Sequence, residues 1–543
     1  MGTTSATGKR IWAVLTLVGL LFVAVGCGDD DSAGDGGAAA TTAAGSPSST
    51  AATETSASAP TDVDPNGILR YGMAMLGKNF DPANPTPPAP HVSLEQAVYD
   101  TLLRASGEHG ALEPGLAESV EIVDPSTVRI VLHEGIRFTD GTPLDAEAAK
   151  IGLEYVRDSD NGTLDIERKN IESITVEGPL TLTLHLDSPV AGAIVPLLAG
   201  PTFMLASPKA LADGVDLKTN PVGAGPFMLD EFRPDQFARL VKNPDFFQAD
   251  SIRLAGIEFT DVPQGEATIN ALASGAVDVV DIISYPQAKQ LRSDNITVES
   301  EKSDNIMVMA FMCKSRPPLD DVRVRHALNH AIDRDALNQL LYDGLGEPMA
   351  GWFNSDSPYH AEGLESFIEY DPDKARSLLA EAGAPNVSFE SFYTQGAQRV
   401  AEILQAQWAE VGINVAVKPL TNSGDFYPDA RAASMNIHFQ ERPGVAKVAR
   451  LLEPGSVADV CNWNDPELNE ALAAVRAARP DTPEAAEAWA RVAQRTHETA
   501  AVIPMVFGVA AKVWNHDRVG DAKFMHNYAG KPVINFYSAY IKR

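Results

Sequence analysis

Two groups of side chains in this sequence have the types and spacing that metal binding or catalysis would require. His326 and His330 lie four residues apart, the spacing of a two-histidine metal site on one helix face. The residues between them are alanine, leucine and asparagine, so the glutamate of a metalloprotease motif is absent. Asp320 and Asp321 stand just before this segment, where carboxylates complement the dipole of a helix better than they form an acid–base pair. We therefore interpret all four residues as structural, and we predict neither a metal site nor a catalytic site.

The segment VGAGPF at residues 222–227 has closely spaced glycines, as phosphate-binding loops do. A strand pattern follows it, so no helix N-terminus would face a phosphate, and we interpret the segment as a tight turn. The sequence contains no GxSxG elbow, no Walker loop and no HExxH motif. We therefore expect a protein that is not an enzyme and that uses no cofactor.

The elements that would position a site alternate between strand and helix patterns in irregular order. The clearest helix is YDPDKARSLLAEAG at residues 370–383, in which Asp371 is the cap and Gly383 ends the apolar stripe. Residues 227–232 and 237–241 are separated by RPDQ and predict a hairpin. Other clear patterns predict strands at 69–75, 127–132, 180–186 and 413–417, and helices at 146–157 and 400–411.

The first 27 residues carry the features of an export signal. Lys9 and Arg10 precede an unbroken apolar run at residues 11–26, which ends at Cys27. About sixteen residues at a rise of 1.5 Å reach only ~24 Å, short of the ~30 Å hydrocarbon core of a bilayer. The small residues before Cys27 resemble a bacterial lipobox, with Ala24 where that motif usually has leucine. We predict a lipoprotein signal peptide with lipidation at Cys27; a plain secretory signal and a single-pass anchor are the alternatives.

Composition sets the next limits. Residues 28–66 are almost entirely Gly, Ala, Ser, Thr, Asp and Pro, which predicts a flexible linker with an r.m.s. span of roughly 35 Å. The remaining ~475 residues are enough for two or three lobes. The net charge of −30, from 73 acidic and 43 basic residues, argues against binding to nucleic-acid phosphates.

Besides Cys27, the sequence contains only Cys313 and Cys461. In an exported protein such a pair forms either a disulfide or two buried thiols, and the sequence leaves both open. No CxxC motif supports a metal or redox site.

The segment RIVLHEGIRFTDGTPLDAEAAKIGLEYVRD at residues 129–158 resembles the signature of the family 5 extracytoplasmic solute-binding proteins, the peptide and nickel receptors of ABC importers. In this signature a strand leads through R-x-G-x-x-F-x-D-G-x-P-L-x-A-x-D-V into a helix; here His133 stands at the usual arginine. Further similar motifs follow in the family's order: VGAGPFMLDEF at 222–232, ASGAVDVVD at 273–281, RPPLDDVRVRHALNHAIDRDAL at 316–337, YDPDKARSLLAEAG at 370–383 and AEILQAQWAEVGINV at 401–415. Together they cover nearly all of the chain after the linker.

The resemblance implies an α/β protein with a two-lobed, periplasmic-binding-protein-like fold of type II, in the large peptide-binding class, with an extra α+β domain. The division that it implies is a signal peptide at 1–27, a linker at 28–66, lobe I at 67–108, 219–303 and 509–543, the extra domain inserted in lobe I at 109–218, and lobe II at 304–508. Two connecting strands, near residues 303–312 and 502–509, would form a hinge around which the lobes close on a ligand.

The resemblance also implies that ligand contacts come from loops facing the cleft. The residues that we expect there are Asn79, Phe80, Trp352, Tyr393, Phe439, Glu441, Arg442, Asn462 and Trp463. Peptide receptors of this family carry a Trp and an Asp in the segment aligned with 439–443, and the Asp pairs with the peptide's ammonium group. Here Phe439 stands at the place of the Trp and Arg442 near that of the Asp, while Glu441 could supply the carboxylate. A cleft-facing Arg442 would favour a carboxylate or phosphate on the ligand, and the alternative is a structural ion pair.

The function that the resemblance implies is that of an extracytoplasmic substrate-binding lipoprotein of an ABC transporter. It would capture oligopeptides or a similar small organic solute by lobe closure and deliver them to a permease. We expect a monomer, lipid-anchored to the outer face of the bacterial cytoplasmic membrane, in an extracellular or periplasmic position. The alternatives are a nickel or metal-chelate receptor on the same fold, which rests on His438 beside the expected pocket, and an extracellular sensor or enzyme-like lipoprotein.

Overall fold

The computed structural model describes most of the chain after residue 59. The described residues are 60–74, 76–84, 92–105, 111–159, 166–280, 283–291, 293–394, 397–420, 434–441, 451–454, 456, 459, 461–526 and 532–543. The predicted signal peptide with Cys27, the linker up to residue 59 and Arg442 lie outside the described residues. The same holds for the side chains of His438, Phe439 and Glu441, whose backbone is described.

The largest element of the fold is a mixed sheet of eleven strands. In order across the sheet, ten of them are β15 (Ile413–Pro419), β14 (Val387–Tyr393), β16 (Met435–Glu441), β12 (Ile296–Met312), β17 (Val502–Asn515), β11 (Val279–Val280), β1 (Ile68–Met73), β10 (Gly256–Asp261), β9 (Phe237–Lys242) and β8 (Phe227–Arg233). The eleventh strand, β13 (Glu347–Pro348), pairs with β17. β16 pairs with the C-terminal end of β12, whereas β11 pairs with the C-terminal end of β17. The antiparallel pair β12–β17 therefore joins two halves of one sheet.

A second, antiparallel sheet belongs to the region of the expected extra domain. Its strands, in order, are β4 (Ala117–Asp124), β5 (Thr127–Leu132), β7 (Thr181–Leu186) and β6 (Ile171–Val176). Three two-stranded sheets complete the described strands: β2 (Leu103–Ala105) with β3 (Leu112–Pro114), β18 (Val519–Gly520) with β21 (Tyr540–Ile541), and β19 (Phe524–His526) with β20 (Pro532–Ile534).

Helices pack around both large sheets. They are α1 (Val92–Tyr99), α2 (Ala146–Arg157), α3 (Ile166–Lys169), α4 (Ala191–Leu197), α5 (Pro208–Ala212), α6 (Glu266–Ala273), α7 (Tyr285–Ala288), α8 (Val322–His330), α9 (Arg334–Tyr342), α10 (Pro372–Glu381), α11 (Gln398–Glu410), α12 (Pro466–Ala477) and α13 (Pro483–Thr499). Local signals explain where the best-predicted ones begin. The Asp145 side chain accepts a 2.9 Å hydrogen bond from the Ala148 N–H, and Asp371 accepts one of 2.8 Å from the Lys374 N–H.

Buried apolar side chains form four clusters. The largest draws on residues 307–509, and the second, between residues 102 and 224, surrounds the four-stranded sheet. A third joins β1 and β8–β10 to the C-terminal strands, and a small fourth lies beside β11. The two halves of the main sheet thus have separate cores, while the boundaries that we gave for the lobes stay a prediction.

The start of the described chain pairs with its end. Val63 forms a β-bridge with Lys542, and the Arg543 N–H donates a 2.8 Å hydrogen bond to the Asp62 carbonyl. The Tyr540 hydroxyl also donates to the Asp62 carboxylate, at 3.0 Å. Residues 62–64, at the C-terminal end of the predicted linker, therefore have partners at the end of the chain, and the bounds of 28–66 given for that linker stay a prediction. No helix of the described chain is both long enough and apolar enough to span a bilayer.

Candidate functional site

The strand pair that joins the two halves of the sheet is interrupted where the halves meet. Pairing between β12 and β17 runs from Ile296 opposite Asn515 to Ser303 opposite Gly508, and resumes with Met307 opposite Phe507. A second shift follows between Val308 and Met309. Such irregularities bend a strand locally and interrupt its ladder. We call the interval between residues 303 and 307 the strand break; it lies in one of the two segments for which the family resemblance implies a hinge, and movement there stays a prediction.

A glycine at the strand break allows a close approach of neighbouring side chains. A Cβ on Gly508 would lie 2.6 Å from the Tyr342 hydroxyl oxygen and would overlap the Ile306 side chain. Tyr342 ends α9, which packs on β17 from the side of the largest core cluster. The close packing of Ile306 and Tyr342 against the strand pair therefore requires that position 508 has no side chain.

Two of the expected ligand-contact positions lie next to the strand break through backbone pairing, and a third lies one strand further away. Phe439 is opposite Val308 and Glu441 is opposite Ile306 in the β12–β16 ladder. Tyr393, at the end of β14, is opposite Ile437 of β16. The sheet thus brings 393, 439 and 441 to one region of the molecule, and Arg442 follows directly outside the described residues.

Trp352 reaches the same region from the other side of β17. It follows β13, whose Glu347 and Pro348 pair with Phe507 and Val506. Its side chain is buried in the largest core cluster, with 4% of its surface exposed. As described, Trp352 packs rather than presents a free ring, and its contact with a ligand stays a prediction.

Asn79 and Phe80 belong to the other half of the sheet. Phe80 is fully buried against Phe232, with ring centroids 4.9 Å apart in an edge-on arrangement. The Asn79 side chain accepts a 3.0 Å hydrogen bond from the Asp81 N–H, which is a local turn. The structure places this loop in a separate core from Tyr393 and Trp352. A shared role of these residues therefore requires a ligand that bridges the two halves.

Trp463 is held by a group of fixed contacts. Its indole N–H donates a 2.6 Å hydrogen bond to the Met312 carbonyl, and only 1% of its surface is exposed. Lys314 and Arg325 lie over the ring, at 4.6 and 5.3 Å from its centroid. Asn462, beside it, is exposed and has a left-handed backbone with φ of 52°. Burial and these partners give Trp463 a packing role, which the apolar and aromatic pattern of the sequence alone did not distinguish from a ligand contact.

A disulfide anchors the Trp463 segment to the end of β12. Cys313 and Cys461 are bonded, with their Cα atoms 4.5 Å apart. Of the two alternatives that the sequence left open, the structure has the disulfide. It ties residues 461–463 to the strand that carries the break.

Ion pairs and hydrogen bonds cross the strand break. Lys302, just before the break, lies 2.9 Å from Asp356 Oδ2 and 3.3 Å from Glu347 Oε2. The hydrogen bonds that the Lys302 ammonium donates to Asp356 and Glu347 raise the pKa of Lys302 above its usual value. The sequence reasoning missed these residues, because a lysine in a strand of alternating charges looks like any solvated side chain. The register of the strands, which carries the information, is not readable from one sequence.

The motifs considered for catalysis have structural roles. His330 Nδ1 lies 2.8 Å from the Glu369 carbonyl, and His326 Nε2 lies 3.2 Å from the Glu498 carbonyl. Burial lowers the pKa of both imidazoles, so each stays neutral near pH 7. In the part of the chain that the structure describes, no group of three or more His, Cys, Asp or Glu residues could hold a metal ion.

The glycines of VGAGPF serve close packing. The Gly225 N–H donates a 2.9 Å hydrogen bond to the Val98 carbonyl at the end of α1, and a Cβ on Gly225 would lie 2.6 Å from that oxygen. Gly223 packs against Val98 and Tyr99 in the same way. The segment, for which we predicted a tight turn, has a bend at residues 225 and 226, and contact with α1 is the reason for its glycines.

A two-lobed α/β arrangement with a bent strand pair between the lobes defines the class of periplasmic binding proteins. Solved structures of this class match the chain over most of its length. A substrate-binding protein of an ABC transporter, CtaP from Listeria monocytogenes, matches with a TM-score of 0.74 and 19% identity, over 88% of this chain and 100% of that one. DppA from Helicobacter pylori in complex with the peptide STSA matches with a TM-score of 0.71 and 19% identity, over 89% of this chain and 99% of that one. NikA from Brucella suis in complex with Fe(III)-EDTA matches with a TM-score of 0.73 and 22% identity, over 88% of this chain and 100% of that one.

The chain belongs to the bacterial extracellular solute-binding proteins of family 5, whose middle region matches residues 111–444. Its function is that of a substrate-binding protein of an ABC transporter. Curated relatives include the glutathione-binding protein GsiB of Escherichia coli strain K12, with 32% identity over 385 residues, 69% of this chain and 73% of the relative. GsiB of Salmonella paratyphi A is 31% identical over 338 residues, 61% of this chain and 64% of the relative.

Proposed function

We propose that this protein is the receptor of an ABC importer for small peptides with free carboxylates, and that glutathione is a member of its ligand class. The observation that carries the proposal is the 32% identity over 385 residues to glutathione-binding proteins. A negatively charged peptide also agrees with Arg442, which stands near the position at which peptide receptors of the family have an aspartate. Because the relatives are solute-binding proteins, we infer that the chain binds its ligand without converting it.

The ligand would bind between the two halves of the main sheet, beside the strand break. Arg442 would contact a ligand carboxylate through a bidentate pair, since it directly follows Glu441 at the end of β16. Tyr393, Phe439, Glu441 and Asn462 would line the half that contains β14 and β16, and Asn79 the other half. Phe80, Trp352 and Trp463, which are buried in the structure, would support the walls of the cleft from behind.

Closure of the two halves would complete the site. The bend at the strand break is the joint that absorbs the dihedral change, as hinges in two-lobed receptors do. A ligand shifts the balance toward the closed form only by its higher affinity for that form. We further infer a monomeric receptor whose Cys27 is lipidated, so that the linker predicted at residues 28–66 tethers the folded body to the outer face of the membrane, where a permease accepts the closed form. Two acyl chains give stable attachment and one does not.

Thermal denaturation with defined ligands tests the proposal. Reduced glutathione at 100 times its Kd should stabilise the mature protein by about 2.7 kcal/mol, and glutathione diethyl ester, which lacks both carboxylates, should not. Arg442→Ala should weaken glutathione binding by roughly thirtyfold or more, because it removes one partner of a desolvated charge pair. Arg399→Ala, an exposed position on α11, is the matched control and should leave affinity unchanged. Equal binding of the ester would contradict the carboxylate assignment.

The nickel-chelate alternative is an outcome of the same assay. The NikA protein of Staphylococcus aureus, in complex with Ni(L-His)2, matches at 19% identity, which shows a shared fold alone. Stabilisation by nickel with histidine, together with no response to glutathione or other small peptides, would replace the peptide proposal with this alternative.

A further inference from the structure

Two groups of ion pairs link the halves of the main sheet across the strand break. In the first, Lys302 of β12 reaches Glu347 and Asp356, and Ser355 Oγ donates a 2.6 Å hydrogen bond to Glu347 Oε2. Lys302 pairs with Val509 before the break, whereas Glu347 pairs with Phe507 beyond it. The contact therefore spans the joint rather than lying within one half.

The second group contains Lys289 and Asp343. Lys289 Nζ lies 2.7 Å from Asp343 Oδ2, and the Tyr285 hydroxyl is 3.4 Å from the same oxygen. Lys289 follows α7, which is fixed to β17 by the bridge between Ser284 and Ala510, before the break. Asp343 caps α9 in a left-handed conformation, and α9 packs in the core of the other half. This contact also spans the joint.

The two groups lie on opposite faces of the strand pair. Side chains alternate between the faces of a strand, so Lys302 shares a face with Val509 and Phe507, and Gly508 faces the other way. The close approach of the Tyr342 hydroxyl to Gly508 places the end of α9, and with it Asp343, on that second face. Contacts on both faces of the β12–β17 strand pair oppose its bending toward either face.

We propose that these two groups, called here the bridging pairs, set the angle between the halves in the ligand-free receptor and thereby set its affinity for ligand. The inference rests on the proposed closure of the lobes. Lys302, Glu347, Lys289 and Asp343 are then positioning residues, which act on the ligand through the geometry of the joint. Because the pairs are partly exposed, each contributes little free energy to the structure. The open and closed forms of such a receptor differ by only a few kcal/mol, so contributions of that size are enough to shift the equilibrium between them.

The chain offers a matched control within one half. Lys512 lies 2.5 Å from Glu301, on neighbouring positions of the same strand pair, and this contact does not cross the break. Its side chains are 19% and 17% exposed, compared with 37% and 21% for Lys302 and Glu347. If local stability were all that mattered, the more buried control pair would have the larger effect. The proposal predicts instead that removing Lys302 changes the strand break more than removing Lys512 does.

Hydrogen exchange and small-angle scattering on the ligand-free mature protein test the proposal. Lys302→Met should raise the exchange rates of amides at 303–309 and 502–508 by about two- to fivefold and broaden the distribution of interatomic distances. Lys512→Met should change neither, and Lys302→Arg should retain the wild-type values. In about 1 M salt, where the Debye length is ~3 Å, the wild type should approach the Lys302→Met variant.

A charge exchange gives a second, independent check. Asp343→Lys alone should loosen the joint, and Asp343→Lys combined with Lys289→Asp should restore it, because the pair is re-formed with reversed polarity. Unchanged exchange at the break in Lys302→Met and Asp343→Lys, or an equal response in Lys512→Met, would overturn the proposal. These readouts need no ligand. If the protein binds glutathione but exchange at the strand break is unchanged in the variants, this inference alone is refuted. If exchange at the break changes as expected but no peptide binds, the proposed function alone is refuted.

Discussion

The two halves of the main sheet are fixed internally by different buried polar groups. In the half with β14 and β16, Arg334 is buried and donates hydrogen bonds of 2.9 and 2.8 Å to the Pro504 carbonyl. In the half with β1 and β10, the fully buried Asp278 accepts hydrogen bonds from Arg70 Nε at 3.1 Å and Arg518 Nε at 2.8 Å. One half thus buries a cation among carbonyl groups, and the other buries an anion between two arginines.

The described polar contacts that cross the strand break are different in kind. They are partly exposed ion pairs, such as Lys302 with Glu347 and Lys289 with Asp343. Buried, fully paired groups are costly to disrupt, whereas exposed pairs contribute ~0–1 kcal/mol and weaken with salt. The contrast indicates that each half moves as a rigid unit, because its buried polar groups are costly to separate. The strand break between the halves can change its angle at low free-energy cost.

The largest effect should come from removing the disulfide of the half with β14 and β16. Cys313 and Cys461 are separated by 148 residues, so the bond restricts a long loop of the unfolded chain. We expect the double change Cys313→Ala with Cys461→Ala to lower the free energy of unfolding by about 4 kcal/mol, measured by denaturant titration. As a control, thiol titration of the denatured, non-reduced wild-type protein should detect neither Cys313 nor Cys461 as a free thiol. A change below about 1 kcal/mol would mean that the bond does not secure this half.

Asp278→Asn should have the next largest effect, in the other half. The substitution keeps the size of the side chain but leaves two guanidinium groups without their shared carboxylate. We expect a loss of about 3 kcal/mol, at the lower end of the range for broken buried pairs, because Arg70 and Arg518 can reach water. Arg518→Gln, which leaves Asp278 paired with Arg70, should cost clearly less. Equal losses in the two variants would contradict a network centred on Asp278.

The two halves should respond to pH with opposite sign. Burial lowers the pKa of His497 to about 4, and its ring stacks on Phe367 in the core of the first half. The unfolded chain binds a proton near pH 6.5 that the folded half excludes, so stability should fall by up to about 3 kcal/mol from pH 6.5 to 4. Burial raises the pKa of Glu95, on α1 in the other half, to about 8. Here the folded state holds the extra proton, so stability should fall as pH rises from about 4.3 to 8.

Regional hydrogen exchange between pH 5 and 8 separates these two responses. Once intrinsic rates are corrected, protection near α13 should increase with pH and protection near α1 should decrease. Glu95→Gln should remove the second trend and leave the first. Trends of the same sign in both regions would rule out the assignment of either titration to its half.

The smallest effect should come from an exposed pair that lies within one half. Lys418 lies 2.6 Å from Glu390 on neighbouring strands β15 and β14, and both side chains are about half exposed. Lys418→Met should change the free energy of unfolding by less than about 0.5 kcal/mol, because solvent and salt screen the pair. The change should also leave the exchange at the strand break unaltered. A larger response at the break would show that exposed charges act on the joint from any position.

Local sequence signals were sufficient for much of the fold. α2 begins and ends at the predicted residues, and the strands of the β8–β9 hairpin end within one residue of the predicted bounds. Both are determined by neighbours in sequence, namely a capping aspartate in one case and a connection of three residues, 234–236, in the other. The order of strands in the main sheet was available only through the family resemblance, because β12 and β17 are about two hundred residues apart and pair through tertiary contacts.

The candidate site could be predicted less well, for a physical reason. An aromatic residue in a loop has the same appearance in sequence whether it faces a ligand or a core, and Phe80 and Trp463 are both fully buried. The bridging pairs were not visible at all, since Lys302 and Glu347 become neighbours only through the register of β13 and β17. Residues whose role depends on which strand lies beside them need the structure.

The pairing of Asp62 and Val63 with residues 542 and 543 has a consequence for how this protein can be handled. The two ends of the folded body are adjacent, so a short peptide could join them and new ends could be opened in an exposed loop. Such a circular permutant would keep every strand of the main sheet. A fluorescent domain inserted at new ends near the joint would then convert the movement of the two halves into an optical signal, which would make the receptor a sensor for its own solute.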